Sequence, residues 1–134
     1  MKIFPVLLVV VFLAACSDDA SYKKATDAQD AGREFIRASL DGDLKKASFY
    51  LLPDSVNEYL FRKWSSQYKQ LSPEEKKQYR DAQIRPIRIE NENDSSVNYT
   101  FTNSYKQKDT TVIKVVRVNG EWLVDIKDIH SLKK

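Results

Sequence analysis

Cysteine and histidine are almost absent from this sequence, with one residue of each among 134, Cys16 and His130. A single cysteine cannot form an intrachain disulfide, so the fold must be stable without bridges. One histidine cannot build a zinc site or a nucleophile–base pair, and the carboxylates lack the spacing of a calcium loop. No metal or other cofactor is therefore predicted, and we interpret His130 as a surface residue after the last strand.

The sequence also lacks an excess of one charge and a long apolar run. The chain contains 22 Lys and Arg residues and 19 Asp and Glu residues, which gives a net charge of +3. Domains that bind nucleic acid are usually strongly basic, so nucleic acid is not predicted as a partner. The longest apolar run, residues 3–15, is shorter than the roughly 20 residues that a membrane-spanning helix needs. The chain length allows one domain.

The beginning of the sequence has the features of an export signal. Lys2 precedes the apolar run, and the run ends in Leu13-Ala14-Ala15-Cys16. This ending resembles the lipobox of bacterial lipoproteins, in which small residues allow cleavage before an acylated cysteine. The resemblance implies a signal peptide over residues 1–15, lipidation of Cys16 and a lipidated tether over residues 16–25. Membrane lipid is thus an expected partner, because two or more acyl chains anchor a protein stably.

The residues after the cysteine bear on the location. Ser17 is not the aspartate that retains lipoproteins at the inner membrane of enteric-type bacteria. The run Ser17-Asp18-Asp19 is similar to an acidic signal that sends some lipoproteins to the cell surface. The resemblance implies a lipid-anchored protein of the bacterial cell envelope, at the outer membrane. Both the periplasmic face and the cell surface remain open.

Apolar spacing predicts helices in the first half of the remaining chain. Residues 27–40 form the first helix, with Thr26 and Gln29 as a capping box. Gly42 suits its left-handed end, and Asp43 suits the N-cap of a second helix over residues 44–51.

A third helix is expected to have Pro53 in its first turn. Its apolar stripe comprises Val56, Tyr59, Leu60, Trp64, Tyr68 and Leu71. Ser72 and Glu75 form a capping box for a short fourth helix to about residue 82.

After Gln83, the spacing of the apolar residues changes from helical to strand-like. Four strands are expected, and Pro86 indicates that the first is an edge strand or has an irregular start. Asn119-Gly120 predicts a tight hairpin between the last two strands. The fold class is therefore α+β, with N-terminal helices packed on one face of a curved four-stranded antiparallel sheet.

This order of elements resembles a known superfamily. The features that carry the resemblance are the Gly42-Asp43 step, the start Leu52-Pro53-Asp54 and a closing hairpin at Asn119-Gly120-Glu121-Trp122. The chain is similar to the cystatin-like cone of the nuclear-transport-factor and ketosteroid-isomerase superfamily, and to small bacterial lipoproteins of unknown function that carry it. The resemblance implies one cone-like domain over residues 26–134.

The first functional hypothesis is a non-enzymatic module that binds a ligand or a protein. The residues Trp64, Tyr68, Tyr99 and Trp122 either line a pocket for a small apolar ligand or fill the core. A homodimer or another envelope protein, bound through the sheet, is the expected alternative partner.

The second hypothesis is a small isomerase or dehydratase that uses a pocket carboxylate, as enzymes of the superfamily do. Asp125 and Asp128, with Tyr99 and Tyr105, supply the residue types. If Trp122 faces inward, however, strand alternation turns Asp125 outward. No catalytic residue is therefore assigned.

Overall fold

The computed structural model describes residues 22–133, with side chains described over residues 22–129. The predicted signal peptide, Cys16 and the acidic run after it lie outside this range. The described part confirms the α+β class, with helices that precede an antiparallel sheet and pack against it. The helices are α1 (Ala28–Asp41), α2 (Leu44–Phe49), α3 (Ser55–Lys69) and α4 (Pro73–Asp81); the strands are β1 (Ile84–Asn93), β2 (Ser96–Asn103), β3 (Asp109–Val118) and β4 (Glu121–Lys133).

The N-cap of helix α1 lies one residue after the predicted N-cap, Thr26. Asp27 is the N-cap, and its carboxylate accepts a 2.8 Å hydrogen bond from the backbone N–H of Asp30. The backbone N–H of Thr26 instead donates to the carboxylate of Asp30 at 3.0 Å. The predicted cap at Thr26 was therefore wrong. Gly42 ends the helix with φ of 74°, which confirms its left-handed conformation.

Helix α2 ends at Phe49, two residues before the predicted end. The chain leaves the helix there because residues 50–52 pair in parallel with β4. The N–H of Leu52 donates to the carbonyl of Val124, and the N–H of Val124 donates to the carbonyl of Tyr50, both at 2.8 Å. The outer edge of β4 is thus paired at Val124 by the chain's own residues.

Helix α3 begins after Asp54, whose carboxylate accepts from the N–H of Asn57 at 2.8 Å. Pro53 lies before this cap, so its predicted place in the first turn was wrong. Val56 and Tyr59 are 49% and 58% exposed, whereas Asn57 is fully buried. The N-terminal part of the predicted apolar stripe was therefore wrong as well. The capping box of Ser72 and Glu75 at α4 is confirmed.

The sheet has the order β1-β2-β3-β4, and each strand pairs antiparallel with its neighbour in sequence. Asn119 and Gly120 have positive φ of 51° and 76°, as the predicted hairpin requires. Pro86 lies in the edge strand β1, as expected, and register shifts follow at both ends of the strand. The core lies between the helices and one face of the sheet, where Tyr99, Ile113, Val115 and Val124 are the largest fully buried apolar side chains.

Strand β4 has a pronounced irregularity. Its Asp125 pairs with Lys114 of β3, but the next pair joins His130 to Val112. Residues 126–129 therefore face the single residue Ile113. Such bulges redirect side chains, and this one brings Ile126, Lys127 and Ile129 to the wall of a cleft.

Candidate functional site

A cleft of about 610 Å³ lies between helices α1, α3 and α4 and the sheet. Its volume falls within the range of small-molecule sites. Most of its wall is apolar, because α1 and α3 present their buried faces towards the sheet, and α4 contributes the ring of Tyr79. Apolar side chains on the wall include Ile36, Leu40, Leu60, Phe61, Trp64, Leu71, Phe101, Ile113 and Ile126.

Four aromatic rings run in series along the helical wall. The ring centroids are 6.2 Å apart between Phe35 and Phe61, 5.9 Å between Phe61 and Trp64, and 5.6 Å between Trp64 and Tyr68. These separations are in the range of favourable ring contacts. Gly42 makes room for the last ring, because a Cβ atom at that position would lie 2.5 Å from the Tyr68 hydroxyl. The aromatic series thus continues from the core to the wall of the cleft.

The polar end of the cleft is formed by the turn between β2 and β3. Asn103, Lys106, Asp109 and Thr111 line it there. The Thr102 hydroxyl contacts the carbonyl oxygens of both Lys106 and Asp109 at 2.9 Å, and the N–H of Asp109 donates to the carbonyl of Lys106 at 3.1 Å. These bonds hold the turn in a fixed shape beside an apolar wall.

Aromatic residues support the same turn from α4. Tyr79 lines the cleft and meets the ring of Tyr105 edge-on, with centroids 5.0 Å apart. Burial raises the pKa of Tyr79. Its hydroxyl therefore stays protonated at neutral pH.

Two lysines line the cleft in different electrostatic settings. The ammonium of Lys127 lies 2.6 Å from Asp54 and 3.3 Å from Asp125, which offsets its charge. The ammonium of Lys106 lies 4.9 Å from the centroid of the Tyr105 ring. Among the residues that the structure describes, no carboxylate lies within ion-pair distance of it.

The four aromatic residues named from the sequence lie in three places. Trp64 and Tyr68 line the cleft. Tyr99 is 1% exposed, and its ring lies against Gly32 of α1 in the core, away from the cleft wall. Trp122 lies near the β3–β4 hairpin, with the Arg117 guanidinium 5.8 Å from its ring. The structure therefore brings two of the four together at the cleft.

The carboxylates considered for an enzyme are not assembled in the cleft. Asp125 is engaged by Asn57 and Lys127, and Asp128 is exposed; neither lines the cleft. Asp109 does line it, but the sequence predicted only a turn from Lys106 to Asp109 and no site there. The polar turn after β2 was the available signal, but its contact with α4 was not visible in the sequence. No cluster of three or more metal-binding side chains occurs in the described part.

A second, smaller cavity of about 440 Å³ lies where the chain enters the domain. Its charged wall contains the pair of Glu34 and Lys46, 2.7 Å apart. The hydroxyl of Tyr50 donates to the carbonyl of Lys23 at 2.7 Å and fixes the entering segment. The polar contacts in this cavity therefore hold the entering segment against the domain.

Comparison of the chain with protein-family models, curated proteins and solved structures found no match. Within residues 22–133, no helix combines the length and apolarity needed to cross a bilayer. The proposed function therefore rests on the cleft and on the charged side chains that line it, Lys106, Asp109 and Lys127.

Proposed function

We propose that this protein is a lipid-anchored component of the bacterial cell envelope whose domain binds a small apolar ligand without catalysis. The observation that carries the binding proposal is the cleft between α3 and the sheet, with its series of aromatic rings. A concave, largely apolar site with few polar groups is typical of ligand pockets. The anchor is supported by the lipobox-like end of the leader at Cys16.

The anchor and the cleft would lie at opposite ends of the domain. The ammonium of Lys24, near the end of the proposed tether, lies 3.9 Å from the carboxylate of Glu121 at the β3–β4 hairpin. The cleft's polar end is at the other end of β3, whose ten residues span about 30 Å. Residues 16–22 extend at most about 20 Å. The hairpin end would therefore face the membrane, and the polar end of the cleft would point away from it.

The predicted protein partner on the sheet has weaker support. The face opposite the helices mixes Asn98, Thr100 and Lys114 with Val116 and Leu123. Val116 and Leu123 are cross-strand neighbours on this face, but Leu123 is only 8% exposed. The described part of this face therefore offers little of the apolar surface that the interface core of a stable complex usually contains. The cleft is the better candidate.

The binding proposal is tested with N-phenyl-1-naphthylamine, an uncharged apolar probe whose fluorescence rises in apolar sites. The probe is titrated into the full chain carrying Cys16→Ala, so that no acyl chain at residue 16 competes. We expect saturable binding at one site. Leu71→Lys places a charge on the cleft wall and should weaken binding by about tenfold or more.

Val56→Lys is the matched control, because Val56 is an exposed apolar residue of α3 outside the cleft. Its affinity for the probe should equal that of the parent chain, and circular dichroism should show both variants folded. Absence of saturable binding, or equal affinity of the Leu71→Lys chain, would overturn the proposal.

A further inference from the structure

We propose that the cleft selects an anionic amphiphile, a single apolar chain with a carboxylate or phosphate head, and places the head at Lys106. This inference rests on the proposed binding function and names the ligand class. The cleft has the required asymmetry, since its helical wall is apolar and its polar side chains gather at the β2–β3 turn. A ligand with one apolar and one polar end matches this arrangement in one orientation.

The sign of the head follows from the charges around the turn. Lys106 lines the cleft, and its ammonium lies 4.9 Å from the centroid of the Tyr105 ring, beyond ion-pair distance of any carboxylate in the described part of the chain. Its charge still acts on Glu75 and, after the hydrogen bonds from Ser72, helps to lower the pKa of that carboxyl. Lys76 adds a second cation beside the cleft, 5.7 Å from the centroid of the Tyr68 ring. Lys127 contributes little, because Asp54 and Asp125 offset it.

Two carboxylates lie near the same end and must be weighed against the lysines. Glu75 accepts hydrogen bonds from the N–H and hydroxyl of Ser72 at 3.0 and 3.1 Å, which ties it to the start of α4. Asp109 lines the cleft and opposes an anionic head. Removing the charges of Lys106 and Asp109 must therefore have opposite effects on the affinity for an anion.

The test uses three amphiphiles with the same 12-carbon chain: laurate, dodecanol and dodecyltrimethylammonium. Each displaces N-phenyl-1-naphthylamine from the Cys16→Ala chain at low salt, with laurate and dodecyltrimethylammonium below their micelle concentrations and dodecanol below its solubility limit. We expect laurate to bind most tightly and the cation least. The ratio of laurate to dodecanol affinity separates recognition of the head from burial of the chain.

Lys106→Gln should lower this ratio by about fivefold, the size expected for one charge pair near water. Asp109→Asn should raise it. Lys108→Gln is the control, because Lys108 is an exposed cation of the same turn outside the cleft wall. Its ratio should match that of the parent chain.

The outcomes separate this inference from the function on which it rests. If the probe itself does not bind, the proposed function fails. If the probe binds but the three amphiphiles displace it equally, or the cation binds best, the anionic class is wrong and the apolar site stands. Equal ratios in the Lys106→Gln and Lys108→Gln chains would place the head elsewhere and overturn the assignment to Lys106.

Discussion

The side-chain oxygen of Asn57 in α3 accepts a 2.8 Å hydrogen bond from the backbone N–H of Ile126 in β4. The amide nitrogen of Asn57 donates to Asp54 at 3.0 Å and to Asp125 at 3.2 Å. One fully buried side chain thus joins the start of α3 to the strand where its register with β3 breaks. This connection positions the wall of the cleft.

We predict that Asn57→Ala lowers the free energy of unfolding by about 2–3 kcal/mol, because it leaves the buried N–H of Ile126 without a partner. Asn57→Asp should cost more, since it places a third carboxylate beside Asp54 and Asp125. Urea unfolding measures both. Asn98→Ala, on the open face of the sheet, should change stability by less than about 0.5 kcal/mol. A loss for Asn57→Ala as small as that control would contradict the role assigned to Asn57.

The second prediction concerns acid. The Lys127 ammonium, followed by the N–H of Asn57, holds the pKa of Asp54 below its usual range. The unfolded chain therefore binds a proton at higher pH than the native state does, and stability falls as the pH drops from about 5 through the native pKa. Lys127→Gln removes the largest cause of this shift. The loss of stability between about pH 7 and pH 3 should shrink in that variant.

Urea unfolding at the two pH values measures the effect of Lys127→Gln. Lys108→Gln removes an exposed lysine that forms no ion pair among the described residues, so it controls for the general change in charge. If both variants lose stability in acid as the parent does, the coupling between Lys127 and Asp54 contributes nothing.

The third prediction compares two glycines with nearly the same backbone conformation. Gly42 has φ of 74° and Gly120 has φ of 76°. Changing either glycine to Ala should lower the free energy of unfolding by about 1–2 kcal/mol, because the left-handed conformation is unfavourable for Ala. Gly42→Ala should cost more, because its Cβ would meet Tyr68, whereas nothing lies within 4 Å of a Cβ at Gly120.

Thermal or urea unfolding of the two Ala variants, alone and combined with Tyr68→Ala, isolates this steric term. In the Tyr68→Ala background, the two glycine changes should cost the same. A persistent difference would show that the Tyr68 ring is not its cause.

The fourth prediction concerns the anchor. Cells fed an alkyne analogue of palmitate should label the parent protein, and the Cys16→Ala chain should carry no label, because Cys16 is the one cysteine in the sequence. Ser17→Ala keeps the cysteine and should remain labelled. Mass spectrometry of the parent should show that residues 1–15 are removed. No label on the parent, or as much label on the Cys16→Ala chain as on the parent, would contradict acylation of this cysteine.

Local chemistry allowed much of the fold to be predicted from the sequence. Gly42, the capping box at Ser72 and the Asn119-Gly120 hairpin act within a few residues, and each is found where it was expected. The buried face of α3 was misjudged because Asn57 is satisfied by Asp125 and Ile126, which lie 68 and 69 residues away along the chain. From the sequence alone, a polar residue whose partners are so distant is predicted to be exposed to solvent.

The cleft was only partly foreseeable for the same reason. Trp64 and Tyr68 follow the helical period, so their side of α3 could be predicted. Lys106 and Asp109 reach the cleft through the packing of the β2–β3 turn against α4, where Tyr79 meets Tyr105. The end of α2 depended on the distant pairing of residues 50–52 with Val124.

That pairing has a consequence for many copies held on one surface. Confinement to a plane raises the rate at which neighbouring molecules meet, and unpaired sheet edges are where chains join into polymers. Here residues 50–52 pair with the β4 edge at Val124. The β1 edge is interrupted by Pro86, by two register shifts and by the charged pair of Arg88 and Glu90. If the chain is anchored as proposed, crowded neighbours would therefore find the β1 edge irregular and the β4 edge already paired at Val124, which disfavours strand addition at these places.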